Sequence, residues 1–359
     1  MENFTAGEDD VVPRHHRIIL SVILIAVTVT GIFGNTLIII ACCLSRKLQT
    51  KTNIFVINLA AADFLTCTLL PIAALSLLID VDENSRSWLD TLCTIDLEGI
   101  RIFLGCSVMT LAFIAVNRYV LITKSTKTYR RIYQRKFIVI FISISWLYQV
   151  LSFIPQLAYG VLHFGYDEKL HACNVGTDHD QSPLYSILLI IGILLPITMM
   201  VYSYGRIYLF VRHHNKQMQN VTSVELSRSQ TDGGKINATS VSQRQVDITK
   251  NLFYILVTFL LCFGTNIISE VLQVDIIFIQ YTRIIALFNS CVNPFLYGVK
   301  HPHFRQVMPC ILSRRWSDIP EPAYKWMMNS GLTRSSVAES KSTDLNVISK
   351  SVSEKSDKV

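Results

Sequence analysis

Asp63 is the side chain that most demands a chemical explanation. It closes the run Asn58-Leu59-Ala60-Ala61-Ala62-Asp63 inside an apolar stretch of about 54–79. A carboxylate at that depth is costly and needs a cation or a proton. If other polar oxygens meet it, such a carboxylate can hold a hard cation. The competing reading is a protonated, hydrogen-bonded structural aspartic acid.

A second chemistry sits on one long apolar stretch, 92–122, which begins at Cys93 and ends in Asn117-Arg118-Tyr119. At ~1.5 Å per residue it crosses a ~30 Å hydrocarbon core with about a third to spare. Its charges are Asp96, Glu98 and Arg101 in the first third, and Arg118 at the far end. Arg101 could hold a ligand carboxylate or pair internally with Asp96 or Glu98. Paired catalytic groups such as His-x-x-His or Gly-x-Ser-x-Gly occur in no apolar stretch. An enzyme is therefore disfavoured and no catalytic residue is assigned. The 9 histidines fall in loops and termini and read as solvated surface residues.

These residues need a membrane scaffold. Of the 359 residues 50% are hydrophobic and only 16% charged, below the ~25% charged of soluble domains; mean hydropathy is +0.38. Seven stretches can span, roughly 18–44, 54–79, 92–122, 137–158, 184–211, 249–274 and 276–299. Pro71 and Pro155 should kink two of them. The loops after the first and third stretches are basic (Arg46, Lys47, Lys51; Lys124 to Lys136) and those after the second and fourth are acidic. Basic loops stay cytoplasmic, so the N-terminus lies outside and the C-terminus inside. The net charge of +7 is then a topology signal, with no nucleic-acid partner. Only Cys93 and Cys173 fall at the outer, oxidising face, which predicts a disulfide between them. A transporter would need paired repeats and interrupted helices, which seven dissimilar stretches do not supply.

The remaining segments are peripheral. Residues 1–17 form an extracellular N-terminus with a glycosylation acceptor at Asn3. Residues 18–300 make the membrane domain, with a polar, flexible cytoplasmic loop at 213–248. Residues 301–312 have the spacing of an amphipathic helix on membrane lipids, and Cys310 is a candidate for lipidation. The Ser/Thr-rich tail 313–359 reads as disordered and open to kinases.

Taken together, Gly34-Asn35, Leu59-Ala60-Ala61-Ala62-Asp63, Cys93, Asn117-Arg118-Tyr119, Trp146, Cys173, Pro196, Tyr204 and Asn293-Pro294-Phe295-Leu296-Tyr297 resemble the motif set of the rhodopsin-like (class A) G-protein-coupled receptors. Asn117-Arg118-Tyr119, Tyr129-Arg130-Arg131-Ile132-Tyr133 and Asn289 to Asn293 look like melatonin receptors and their orphan relatives. The resemblance implies an all-α, seven-transmembrane helix bundle that binds an extracellular ligand and activates a heterotrimeric G protein, with arrestin and receptor kinases as further partners. It implies no cofactor, but a sodium ion as allosteric ligand at Asp63, with Asn35, Ser107, Asn289, Ser290 and Asn293 around it. It makes Asn117, Arg118, Tyr119, Tyr204, Phe263, Pro294 and Tyr297 the activation switch, and Arg101, Leu104, Phe263, Asn266 and Glu270 the candidate ligand contacts. Two departures stand out. Asn117 replaces the usual Asp before the arginine, and Gln245 stands where many members carry an acid, so basal activity is expected to be raised. Cys262-Phe263-Gly264-Thr265 replaces Cys-Trp-x-Pro in the sixth helix. Amine receptors of the class carry an Asp seven residues after the cysteine; Ile100 stands there, which disfavours a biogenic amine. Opsins need a lysine in the seventh helix, where Leu287 stands.

Overall fold

A computed structural model describes residues 12–80, 86–152, 154, 163–168, 170–176, 183–225, 257–272 and 274–324, without the side chains of 163, 175, 176, 183–190 and 214–225. The long helices are α1 (Arg14–Leu44), α2 (Lys51–Ser76) and α3 (Arg86–Thr123). A short α4 (Thr126–Ile132) leads to α5 (Arg135–Leu151). Strands β1 (His163–Asp167) and β2 (Ala172–Gly176) form an antiparallel hairpin in which Tyr166 faces Cys173. Then come α6 (Pro183–Glu225), α7 (Val257–Val271), α8 (Ile276–Lys300) and the short α9 (Phe304–Leu312). Five of the described helices are long and apolar enough to cross a membrane; α7 is shorter over its described range. Pro71, Pro196 and Pro294 lie inside α2, α6 and α8; Pro155 lies outside the described residues.

The bundle turns apolar side chains outward as well as inward. Val22, Val29, Phe33, Val139, Leu147, Leu261, Val271 and Val299 are all exposed. A continuous apolar exterior of this kind suits hydrocarbon and not water. Helix α3 is the axis, packed on α2, α5, α6 and the hairpin. Small residues let helices approach: a Cβ on Gly34 would lie 2.7 Å from Pro294 Cβ, so α1 and α8 meet only because residue 34 has no side chain.

The hairpin plugs the outer end of α3. The Cys93–Cys173 disulfide joins them with Cα atoms 5.1 Å apart. Asp90 accepts from the Tyr166 N–H (2.8 Å), Arg86 donates to Glu168 (2.8 Å), and the Tyr166 hydroxyl donates to the Ile79 carbonyl (2.7 Å).

The cytoplasmic side differs from expectation in two places. Helix α6 runs on to Glu225, so part of the 213–248 segment is helix and not flexible loop. The tail is folded over residues 313–324. It turns back after α9 and pairs with the α1–α2 connection: the Arg46 N–H donates to Glu321 O (2.8 Å), the Ala323 N–H to Leu44 O (2.8 Å), and the Ser45 hydroxyl to Pro320 O (2.6 Å). Ile319, 2% exposed, anchors this return in the inner core. Backbone hydrogen bonds and one buried isoleucine thus order a polar segment whose composition predicts disorder. Gln245, Asn3 and the tail beyond 324 lie outside the described residues.

Candidate functional site

Asp63 is fully buried between α2, α3 and α8. Ser107 Oγ donates to its Oδ1 (2.7 Å) and Asn293 Nδ2 to its Oδ2 (2.8 Å). Ser290 Oγ lies beside the same carboxylate but makes no hydrogen bond of ordinary geometry. Asn35 is one step removed: its amide donates to Ser290 O (2.8 Å) and Gly31 O (2.9 Å). Asn35 Oδ1, Ser290 Oγ and Asn289 Nδ2 are buried without hydrogen-bond partners among the described residues. Orphaned buried polar atoms are costly, and one of these three, Ser290 Oγ, lies beside the Asp63 carboxylate. The donor set therefore fits a small hard cation with a partial water shell.

The expected switch residues do not all converge on Arg118. Its side chain is 6% exposed, with Nε unpartnered among the described residues. Asn117 faces away from it. Asn117 Oδ1 accepts from Thr52 (2.8 Å) and its Nδ2 donates to the Tyr129 hydroxyl (3.3 Å), so the residue bridges α2 and α4. Tyr204 and Tyr297 are buried near Arg118, and the Tyr297 hydroxyl has no partner among the described residues. Tyr119 points outward, edge-on to Tyr202 with ring centres 5.8 Å apart. Thr52 is a residue that the sequence does not single out, and Tyr129 stands out there only as part of the 129–133 motif, with no role attached. Trp146 is explained by its indole donation to Asn58 Oδ1 (3.0 Å), while Asn58 donates to Thr110 (2.7 Å).

Two cavities open in the outer half. A narrower one of about 240 Å³ is lined by Arg101, Tyr148, Gln149, Phe259 and Phe263. A wider one of about 680 Å³ is lined by Asp96, Ile100, Glu270, Gln280, Arg283 and Leu287. Leu104, Phe263 and Asn266 line both. Four of the five predicted ligand contacts are therefore in the wider cavity. Arg101 lines only the narrower one, held by Glu98 (2.7 Å) and Ser152 (2.8 Å). Its internal pairing is with Glu98 and not Asp96. A spacing of three keeps two side chains on one helix face, whereas five residues turn them roughly 140° apart. Glu270 pairs with Arg283 (2.9 Å).

Several other expectations change. Cys310 is buried, 8% exposed, with its thiol donating to Gln306 O (3.3 Å) and Asp318 O (3.7 Å). That placement is the reverse of the exposed thiol that lipidation requires. His301 is buried among Tyr297, His303 and Phe304, and His171 contacts Tyr166 and Asp80, so neither is a solvated surface residue.

A family model described as "7 transmembrane receptor (rhodopsin family)" matches residues 34–297. The chain belongs to this family. The receptor is 28% identical over 312 residues to the melatonin receptor type 1B-B of Danio rerio, covering 83% of this chain and 82% of that one. It is 26% identical to the trace amine-associated receptor 6 of Pan troglodytes, covering 83% and 86%. Squid rhodopsin shares the fold at a TM-score of 0.67 and 21% identity, covering 89% and 91%. The protein is thus a multi-pass G-protein-coupled receptor of the plasma membrane, with an extracellular ligand and a G protein as partners.

Proposed function

We propose that the receptor signals with raised basal activity, because no acid among the described residues restrains Arg118, and that sodium at Asp63 opposes this activity. The observation that carries the reading is Asn117: a neutral side chain already engaged by Thr52 and Tyr129, beside an arginine whose Nε has no partner among the described residues. A hydrogen bond to a charged group contributes roughly 1.5–3 kcal/mol and a neutral one roughly 0.5–1.5 kcal/mol. The difference, on the order of 1 kcal/mol, raises the active population about fivefold.

The ligand enters the outer cavities and meets Leu104, Phe263 and Asn266 where they join. A biogenic amine held at the depth of Ile100 finds no acid there. The N-terminus lies outside, in keeping with the disulfide at that end and the basic loops at the other. On the inner side, arrestin and receptor kinases use the Ser/Thr-rich tail, and membrane lipids meet α9. The cavity lined by Arg118, Leu121, Tyr129 and His301 is the inner opening into which a G-protein α-subunit helix would dock.

The test is ligand-independent nucleotide exchange on a panel of G proteins in membranes with equal receptor content. Asn117→Asp should lower exchange about fivefold, and Arg118→Ala should abolish it. Equal or higher exchange in Asn117→Asp would sink the restraint argument.

A further inference from the structure

Asp96 is 1% exposed, lines the wider outer cavity, and has a buried Oδ1 with no hydrogen-bond partner among the described residues. Nearby acids differ. Asp80 pairs with Arg17, Glu98 with Arg101, and Glu270 with Arg283. Arg283, the cation that lines the same cavity, is therefore already engaged. An unpaired buried carboxylate is strongly disfavoured, and an ammonium brought by a ligand removes that cost. A second orphan lines the same cavity from α8: Gln280 Nε2, in a side chain 8% exposed, has no partner among the described residues either.

Asp96, Ile100 and Leu104 recur every four residues, so they form one face of α3, and all three line this cavity. Asp96 is eight residues above Leu104, a rise of ~12 Å. At the lower end the walls become apolar and aromatic, with Leu104, Phe263 and Leu287. We infer that this cavity takes a ligand with a protonated amine held by Asp96 and an extended apolar body reaching down to Phe263. Such a ligand is held one helical turn above Ile100, which separates it from a short amine anchored at that depth. An acceptor on its upper part would satisfy Gln280. The inference rests on the reading of these cavities as the receptor's ligand site.

The probes are 6-phenylhexylamine, whose length matches that rise, and the neutral 6-phenylhexanol. Binding to the purified full-length receptor is read as the concentration-dependent shift of its thermal unfolding midpoint. The amine should bind at least tenfold more tightly than the alcohol. Asp96→Asn should remove most of that difference by weakening the amine while leaving the alcohol unchanged. Should the variant fail to fold, the amine-to-alcohol ratio in wild type still decides: a ratio near one, or no amine binding at millimolar concentration, overturns the inference. Equal amine affinity in wild type and Asp96→Asn overturns it as well. Wild-type nucleotide exchange on G proteins, measured in parallel, separates the two ideas. Exchange with Asp96-independent amine binding sinks the cation site alone. Asp96-dependent amine binding without exchange upholds the site and sinks the proposal of basal signalling.

Discussion

Asn293 Nδ2 donates to Asp63 Oδ2 across 2.8 Å, joining α8 to α2 from positions 230 residues apart. With Ser107 on the other oxygen, the carboxylate ties three helices together at mid-membrane. Any cation there reports on how those helices sit. Sodium at ten times its dissociation constant would favour the bound state by ~1.4 kcal/mol, lowering basal nucleotide exchange on the order of tenfold if only the inactive state binds it. Exchanging NaCl for KCl at constant ionic strength should relieve that inhibition in wild type and do nothing in Asp63→Asn. A sodium response that survives in the variant would place the ion elsewhere.

The Cys93–Cys173 bridge closes a separation of 80 residues and fixes the hairpin on α3. Bridges of this kind stabilise by about 2–4 kcal/mol. Cys93→Ala, Cys173→Ala and the double variant should lose surface expression equally, since each removes the same bond. Flow cytometry on intact cells measures it, and a double variant clearly worse than both single ones would contradict the pairing.

At the outer mouth, the buried Arg17 donates to Asp80 at 3.0 Å. That hydrogen bond, with the charges of Arg17, His171 and Arg14, holds the Asp80 carboxyl below its ordinary range. A depressed carboxylate stabilises the fold at every pH above its unfolded value, ~3.9, and loses the contribution as pH falls through its lower folded value. Asp80 is 67% exposed, so the pair contributes only about 0–1 kcal/mol. In a His171→Gln background, the melting difference between Asp80 and Asp80→Asn receptors should be constant from pH 8 to 5 and shrink only below about pH 4. A difference that vanishes near neutrality would count against the assignment.

The folded tail protects Cys310. Ile319 is packed in the inner core beside it, so Ile319→Asp should open this corner. An opening eased by ~1.4 kcal/mol raises thiol accessibility tenfold. Maleimide labelling of a receptor in which Cys43 is replaced by serine should be slow at Cys310 in the parent and about tenfold faster in Ile319→Asp. Fast labelling in both would mean that the thiol is not covered.

Much of this architecture is written in the chain itself. Apolar runs long enough to cross a bilayer locate the helices, because hydrocarbon tolerates no unsatisfied backbone. Asp63 and Arg118 stand out for the same reason, as charges where charge is expensive. Cys93 and Cys173 can be paired from topology, since no other cysteine reaches the oxidising face. Which donors meet Asp63 is different, for Ser107 and Asn293 are set by the crossing of α3 and α8 over α2. The partner of Arg101 was within reach of helical spacing alone, but the consequence, an Asp96 left unpartnered among the described residues at the wall of a cavity, depends on what α8 and α7 place opposite it. The return of the tail onto Leu44–Arg46 was not legible at all. It is made largely by backbone N–H and C=O groups, which every residue carries, so only the tertiary structure could decide where they pair.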